Sequence, residues 1–264
     1  MKLVAYQGNR GAFSDVAARA FVPDGTTRGY PSFDAAAAAL DEGAADFAVL
    51  PVENAIAGPI PRIYEILWER PALRIQAETV LPVELCLVGV EGATIEAITE
   101  VRSHPVALEQ VRRLTEAHPG WKRTTTTDTA GAVSEVVTLG NPSIAAVGPA
   151  LAAEIYGATI LMRGVEDEPD NATRFFLISK GDETSRTGER AVVGLELEDR
   201  PGSLRDALGS LADRGIDLRM LIARPDRRQP FRYRFFCELG SVDDARLQAA
   251  LEAIGGEHRV LGRY

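Results

Sequence analysis

Apolar and polar positions change period repeatedly along this chain, and each change marks an element. Residues 2–6 form a short apolar run that reads as a strand. It opens into Gln7-Gly8-Asn9-Arg10-Gly11-Ala12-Phe13, after which Ser14 is the expected N-cap of a helix through Phe21, with Asp15 complementing the positive helix end. Residues 26–30 read as a strand. Ser32 then caps a helix that turns Phe33, Ala36, Ala37 and Leu40 inward and stops at Gly43. Residues 47–50 read as a buried strand ending abruptly at Pro51, which leaves Glu53 and Asn54 at a strand terminus. Pro61 opens a helix to about Arg70, with Ile63, Ile66 and Leu67 on one face.

Residues 73–88 are mostly extended and broken by Pro82, as expected of a segment crossing between two lobes. The alternation then restarts. Val101-Arg102-Ser103 is a short strand, and His104-Pro105 turns it into one helix that buries Leu108, Val111 and Leu114 and carries Gln110. A strand over 121–126 precedes a helix capped by Asp128 that buries Val133, Val136 and Val137. A strand over 144–147, a helix opened by Pro149 and closed by Gly157, and strands over 159–161 and 173–178 complete the set. Two alternating sets joined by crossing segments predict two α/β lobes with a cleft between them.

Residues 179–190 are polar and aperiodic and read as a linker. Beyond them, strands over 192–197, 218–223, 231–239 and 258–261 interleave with helices over 203–214 and 244–254, the βαββαβ ferredoxin-like plan. In the third strand Phe231, Tyr233, Phe235, Cys237 and Leu239 alternate with Arg232, Arg234 and Glu238, so one face is expected to be core.

The 264 residues suffice for one large or two modest domains. A formal net charge of −9 argues against a nucleic-acid binder. Arg224, Arg227, Arg228, Arg232 and Arg234 crowd one hairpin, and this reads as a solvated turn or a subunit contact rather than a nucleic-acid patch. Cys86 and Cys237 lie far apart in apolar runs, the pattern of reduced core thiols. No charged-then-apolar leader opens the chain and no apolar run is long enough to cross a bilayer, so a cytoplasmic location without membrane partners is expected.

Candidate chemistry gathers at Asp170-Asn171-Ala172-Thr173-Arg174-Phe175, where polar side chains run straight into an apolar strand. Ligands bind at strand ends in α/β proteins. A plain turn capped by Thr173 and Arg174 would give the same local pattern. The isolated histidines and cysteines make no metal site, and no phosphate-binding glycine motif follows a strand. Hydroxyls, amides and carboxylates remain: Ser14, Glu53, Asn54, Ser103, Gln110, Thr129, Thr173 and Arg174. Such a set can orient an anion and donate hydrogen bonds, but it contains no strong nucleophile.

These blocks resemble the prephenate dehydratase family. Asn171-Ala172-Thr173-Arg174-Phe175 is similar to its Thr-Arg-Phe motif, and Leu50-Pro51-Val52-Glu53-Asn54 with Gly58 to its Leu-Pro-Ile-Glu-Asn-Ser segment. Gly8-Asn9-Arg10-Gly11-Ala12-Phe13-Ser14 resembles its opening loop, and the 103–110 stretch its Ser-His-Pro-x-Ala-Leu-x-Gln block. The C-terminal region resembles an ACT domain.

The resemblance implies a two-lobed, periplasmic-binding-protein-like catalytic domain over 1–180, with lobe one at about 1–80 and 162–180 and lobe two at about 81–161. A 181–190 linker and an ACT regulatory domain over 191–264 follow. It implies loss of carbon dioxide and the ring hydroxyl from prephenate to give phenylpyruvate, with no cofactor. Arogenate dehydration and a non-catalytic anion-binding protein are the alternatives. Thr173 is cast as the catalytic group, donating to the departing oxygen. Ser14, Glu53, Asn54, Ser103, Gln110, Thr129, Arg174 and Phe175 are the substrate-binding candidates. Arg174 serves equally well as a strand-edge ion pair, Phe175 reads mainly as core, and Glu53 is either paired or partly protonated. An amino-acid effector, phenylalanine in the family, is expected at Asp199, Gly202, Ser203, Leu204, Arg224 and Pro225, in a homodimer or homotetramer. Ala55 stands where the family has serine, and Ile222-Ala223 where it has Glu-Ser ahead of Arg224-Pro225. Weakened or altered regulation is therefore expected.

Overall fold

The computed structural model describes residues 1–181, 188–226, 228–240 and 242–264. Most of the expected linker and Arg227 of the arginine hairpin lie outside the described residues. The chain opens with β1 (Leu3–Gln7), α1 (Phe13–Phe21), β2 (Thr26–Tyr30), α2 (Phe33–Asp41), β3 (Phe47–Asn54), β4 (Gly58–Pro59), α3 (Pro61–Glu69) and β5 (Leu73–Pro82). It continues through β6 (Cys86–Gly89), β7 (Glu100–Ser103), α4 (Pro105–Glu109), α5 (Arg112–Ala117), β8 (Lys122–Thr125), α6 (Thr129–Leu139), β9 (Ile144–Gly148), α7 (Ala150–Tyr156) and β10 (Thr159–Arg163). The remainder is β11 (Ala172–Lys180), β12 (Ala191–Glu196), α8 (Ser203–Ala212), β13 (Asp217–Pro225), β14 (Tyr233–Gly240), α9 (Asp244–Ile254) and β15 (Glu257–Arg263). Two compact units result, one of Met1–Pro59 with Thr79–Phe175, the other of Ile60–Glu78 with Phe176–Tyr264. The second unit thus takes α3, most of β5 and the later part of β11, stretches that the resemblance placed in lobe one.

In the first unit, one sheet runs β11-β3-β1-β2, with β1 parallel to both β2 and β3. Strand β3 does not stop at Pro51 as expected. Antiparallel pairing of Glu53 with Pro59 and Asn54 with Gly58, both in β4, carries it to Asn54. The start of α1 also differs. Gly11 sits at φ +85°, and a Cβ there would lie 2.6 Å from the Ala152 Cα, so only glycine fits this approach. The tight turn starts the helix at Phe13, with Ala12 at the N-cap and Ser14 buried in the first turn. The buried Asp15 accepts the Gly11 N–H at 2.8 Å and is also bonded by Arg19, which performs the task expected of Ser14.

The other sheet of this unit has five strands in the order β10-β6-β9-β7-β8. Period-two alternation divides its side chains between two cores. Leu85, Leu87, Val101, Ala145 and Val147 pack with Ala107, Leu108, Val111 and Leu114, while Cys86, Val88 and Ala146 pack with Val133, Val136, Ala152 and Ala153 of α6 and α7. The single helix expected after His104 is two. Gln110, at φ −90° and ψ 0°, breaks it, and its carbonyl accepts the Asp167 N–H at 2.6 Å. The Asp167 carboxylate then accepts the N–H groups of Arg112 and Arg113 and so caps α5.

In the second unit the strand order is β13-β14-β12-β15-β5. Ala191, Val193, Leu195, Cys237 and Leu239 face Leu211, Leu247, Ala250 and Leu251 of α8 and α9, the ferredoxin-like arrangement expected. The other face is covered as well, by α3. A Cβ on Gly194 would lie 2.5 Å from the Trp68 ring, and Trp68 and Tyr64 both pack on Phe236. The expected polar face of β14 is therefore buried, with Arg234 and Glu238 inside it. The strand begins at Tyr233. Phe231 is 95% exposed at φ +66° in the turn that the Asp226 N–H closes onto the Arg232 carbonyl.

Candidate active site

Strands β3 and β11 are neighbours, and their polar ends meet. The Asn54 Oδ1 accepts the N–H groups of Ile56 and Ala57 at 3.1 and 2.9 Å, an Asx turn that fixes which way the amide faces. Its Nδ2 is thereby turned to donate to the Asn171 Oδ1 at 2.8 Å, the Thr173 Oγ1 at 3.0 Å and the Ala172 carbonyl at 3.2 Å. The Thr173 oxygen is an acceptor in this node, so its own O–H is left to donate elsewhere. An accepted hydrogen bond polarises that O–H and strengthens it as a donor. Glu53 precedes Asn54 and Arg174 follows Thr173, and Arg174 donates through Nε and Nη2 to the Glu53 Oε2 at 3.2 and 3.0 Å. The arginine side chain is 11% exposed and the carboxylate 40%.

The other candidates lie outside this node. Ser103 is fully buried and its Oγ donates to the Val147 carbonyl at 2.6 Å, so its proton is committed to β9. Gln110 occupies the break between α4 and α5. Thr129 is the first residue of α6 behind the Asp128 cap. Ser14 is buried in α1 and Phe175 is 1% exposed in the core. One bond unforeseen in the sequence links the glycine loop to α6: the Asn9 Nδ2 donates to the Asp128 Oδ2 at 2.6 Å. Among the described residues no group of His, Cys, Asp and Glu is arranged to hold a metal ion, and no helix is long and apolar enough to cross a membrane.

Comparison with known families matches residues 4–183 to Prephenate dehydratase and residues 191–256 to ACT domain. The chain belongs to the prephenate dehydratase family. It is 36% identical over 267 residues to a prephenate dehydratase of Mycolicibacterium gilvum, covering 95% of this chain and 86% of that one. It is also 36% identical over 282 residues to Arogenate dehydratase/prephenate dehydratase 1 of Arabidopsis thaliana, covering 99% and 71%. Among solved structures, the prephenate dehydratase of Arthrobacter aurescens in complex with L-Phe superposes with a TM-score of 0.90 at 27% identity, over 99% of this chain and 89% of that one. A structure described as GqqA, a novel type of quorum quenching acylase, superposes equally well at 32% identity, covering 99% and 97%.

In the ACT domain, Gly202 (φ +87°) stands at the N-cap of α8, followed by Ser203 and Leu204, and Asp199 is exposed beside Arg232 at 3.6 Å. Arg224 has another engagement. Its Nε donates at 2.6 Å to Glu65 on α3, and Arg62 holds the same carboxylate at 3.1 Å. Burial pushes the Glu65 carboxyl up, but the two guanidiniums outweigh it and hold it below the usual carboxylate range. Nearby, Arg234 bonds Glu196 at 2.6 Å, lies 3.4 Å from Asp226 and stacks over Trp68. Burial raises the Glu196 carboxyl further than Arg234 lowers it, while the Arg228 N–H holds Asp226 down. Burial alone pushes the Cys237 thiol up to about 12.

The member of the Asn54–Thr173 node that the sequence reading left out of its candidates is Asn171. Its signal was present, because positions 171 and 173 fall on the same side of an extended strand.

Proposed function

We propose that this protein dehydrates and decarboxylates prephenate to phenylpyruvate, carbon dioxide and water. The observation that carries the reading is the Asn54 amide bonded to the Thr173 Oγ1 at 3.0 Å, which frees the threonine proton for a leaving group. As the ring carboxylate departs as carbon dioxide, its C–C bonding pair enters the ring and the C–O bond to the hydroxyl breaks. Thr173 donates to that oxygen so that it leaves as water rather than hydroxide. One proton is consumed overall, and solvent replaces it on the threonine. Aromatisation supplies the driving force, so the protein need only hold a dianion and provide the donor. Arg174 supplies a positive charge for a carboxylate.

Arogenate dehydration is the second reading, favoured by the relative in Arabidopsis thaliana that carries both names. The leaving chemistry is the same, and only the side-chain keto or amino group differs. Prephenate and arogenate assayed side by side decide between them. Faster formation of phenylpyruvate supports the first reading, faster formation of phenylalanine the second, and no aromatic product from either overturns both.

We further propose that the ACT domain binds an amino-acid effector with altered affinity, since Arg224 is held by Glu65 and the preceding pair is Ile222-Ala223. Calorimetric titration with phenylalanine, tyrosine and tryptophan tests this, and heat from none of them defeats it. Strand β13 ends its sheet with Leu218 and Leu221 over a third exposed, an edge suited to pairing two copies.

A further inference from the structure

Asn171 is 2% exposed. Its backbone is bound on both sides, the N–H donating to the Glu168 carbonyl at 3.1 Å and the C=O accepting from Val83 at 2.8 Å. The orientation of its side chain follows from Asn54. Because Asn54 Oδ1 is held by two backbone N–H groups, its Nδ2 faces Asn171, and Asn171 must answer with its oxygen. That places the Asn171 Nδ2 on the opposite side of the amide. There it is buried and finds no acceptor among the described residues. A buried donor left unpaired costs about 1–3 kcal/mol. Such a cost is tolerated where a ligand supplies the missing acceptor, and this donor belongs to the same three-residue node as the Thr173 hydroxyl.

We propose that Asn171 is a substrate-binding residue whose Nδ2–H₂ donates to an oxygen of the anionic substrate, while its Oδ1 accepts from the Asn54 amide that also bonds Thr173. The inference rests on the prephenate reading and adds a donor to it.

The two ends of the amide are separable by substitution. Asn171→Asp keeps an oxygen for Asn54 and replaces the donor with a second anionic acceptor. Asn171→Ala removes both ends. A hydrogen bond to a charged group contributes about 1.5–3 kcal/mol, or roughly 10- to 150-fold in binding. The expected result for Asn171→Asp is a KM for prephenate raised by at least ~10-fold with kcat within ~3-fold of the parent. Asn171→Ala removes the same donor and should raise KM by a similar factor. A KM for Asn171→Asp equal to that of the parent overturns the assignment.

If neither variant folds, the ¹⁵N-labelled Thr173→Ala protein decides, because it is expected to bind prephenate while turning it over at least ~10²-fold more slowly. The side-chain amide protons of Asn171 should move downfield on addition of prephenate, and an unmoved pair overturns the proposal. A parent that turns over neither prephenate nor arogenate would instead defeat the functional reading, a separate result.

Discussion

Two polar clusters in this protein differ in how completely they are satisfied. At the ends of β3 and β11, Thr173 accepts a hydrogen bond and keeps its own proton uncommitted, and the Asn171 amide nitrogen has no acceptor among the described residues. Around α3 and the β13–β14 hairpin, the groups are largely consumed by one another. Glu65 takes both Arg62 and Arg224, Tyr64 donates to Glu238 at 2.5 Å, and Arg234 lies among Glu196, Asp226 and the Trp68 face, although its Nε, like the Asn171 Nδ2, finds no acceptor among the described residues. A surplus of oriented donors marks a place that a ligand completes. Mutual saturation marks a place that holds elements together. Substitution in the first cluster should therefore change rate and binding, and substitution in the second should change stability.

Thr173→Ala tests the first half and carries the largest expected effect. A positioned proton donor contributes ~10²–10⁴-fold, and loss of one preorganised donor costs about 10²–10³-fold. We expect kcat to fall by at least about 10²-fold with KM within ~3-fold of the parent. Thr173→Ser, which keeps the hydroxyl, should restore most of the rate. Steady-state kinetics on prephenate measures both, and near-normal turnover in the alanine variant removes Thr173 from the mechanism.

How much of this contrast could be read from sequence depends on distance along the chain. The helix caps Ser32 and Asp128 lie where a hydroxyl or carboxylate precedes an apolar period, and each accepts the expected backbone N–H. The division of the five-stranded sheet between two cores follows from alternation alone. Local pattern could not reveal that α3 covers the second face of the ACT sheet, because Trp68 and Phe236 meet only through the tertiary fold. Arg234 and Glu238 therefore read as solvent-facing when they are buried. Phe231 shows the reverse error: an aromatic that fits strand alternation is placed outside it by the turn at Asp226. At the candidate site, Glu53-Asn54 and Thr173-Arg174 were legible as polar groups at strand ends. Their pairing across 119 residues was not.

The second half of the contrast is tested next by Tyr64→Phe. The phenol donates to Glu238, which is 6% exposed, so its removal takes a donor from a buried carboxylate. The expected loss is about 1–3 kcal/mol of stability, with kcat for prephenate unchanged. Chemical denaturation beside steady-state kinetics reads the two quantities separately. A variant of parental stability but reduced turnover would erase the distinction between the clusters.

The smallest effect is expected from Arg224→Met, and it carries a pH signature. Arg224 is 36% exposed while Glu65 is 9% exposed, so solvent screens the pair and its removal should cost about 1 kcal/mol. Glu65 is held below the ordinary carboxylate value of 4.5 in the folded protein, which means that the unfolded chain takes up its proton first on acidification. The pair's contribution is therefore complete above pH 4.5 and is lost as pH falls through the lower folded value. Thermal melts of parent and variant should lie furthest apart near neutrality and converge in acid. Curves that stay equally separated down to pH 3 would show that Arg224 stabilises the hairpin through packing of its aliphatic stem. Glu65 would then no longer count among the saturated groups that distinguish this cluster from the node at Thr173.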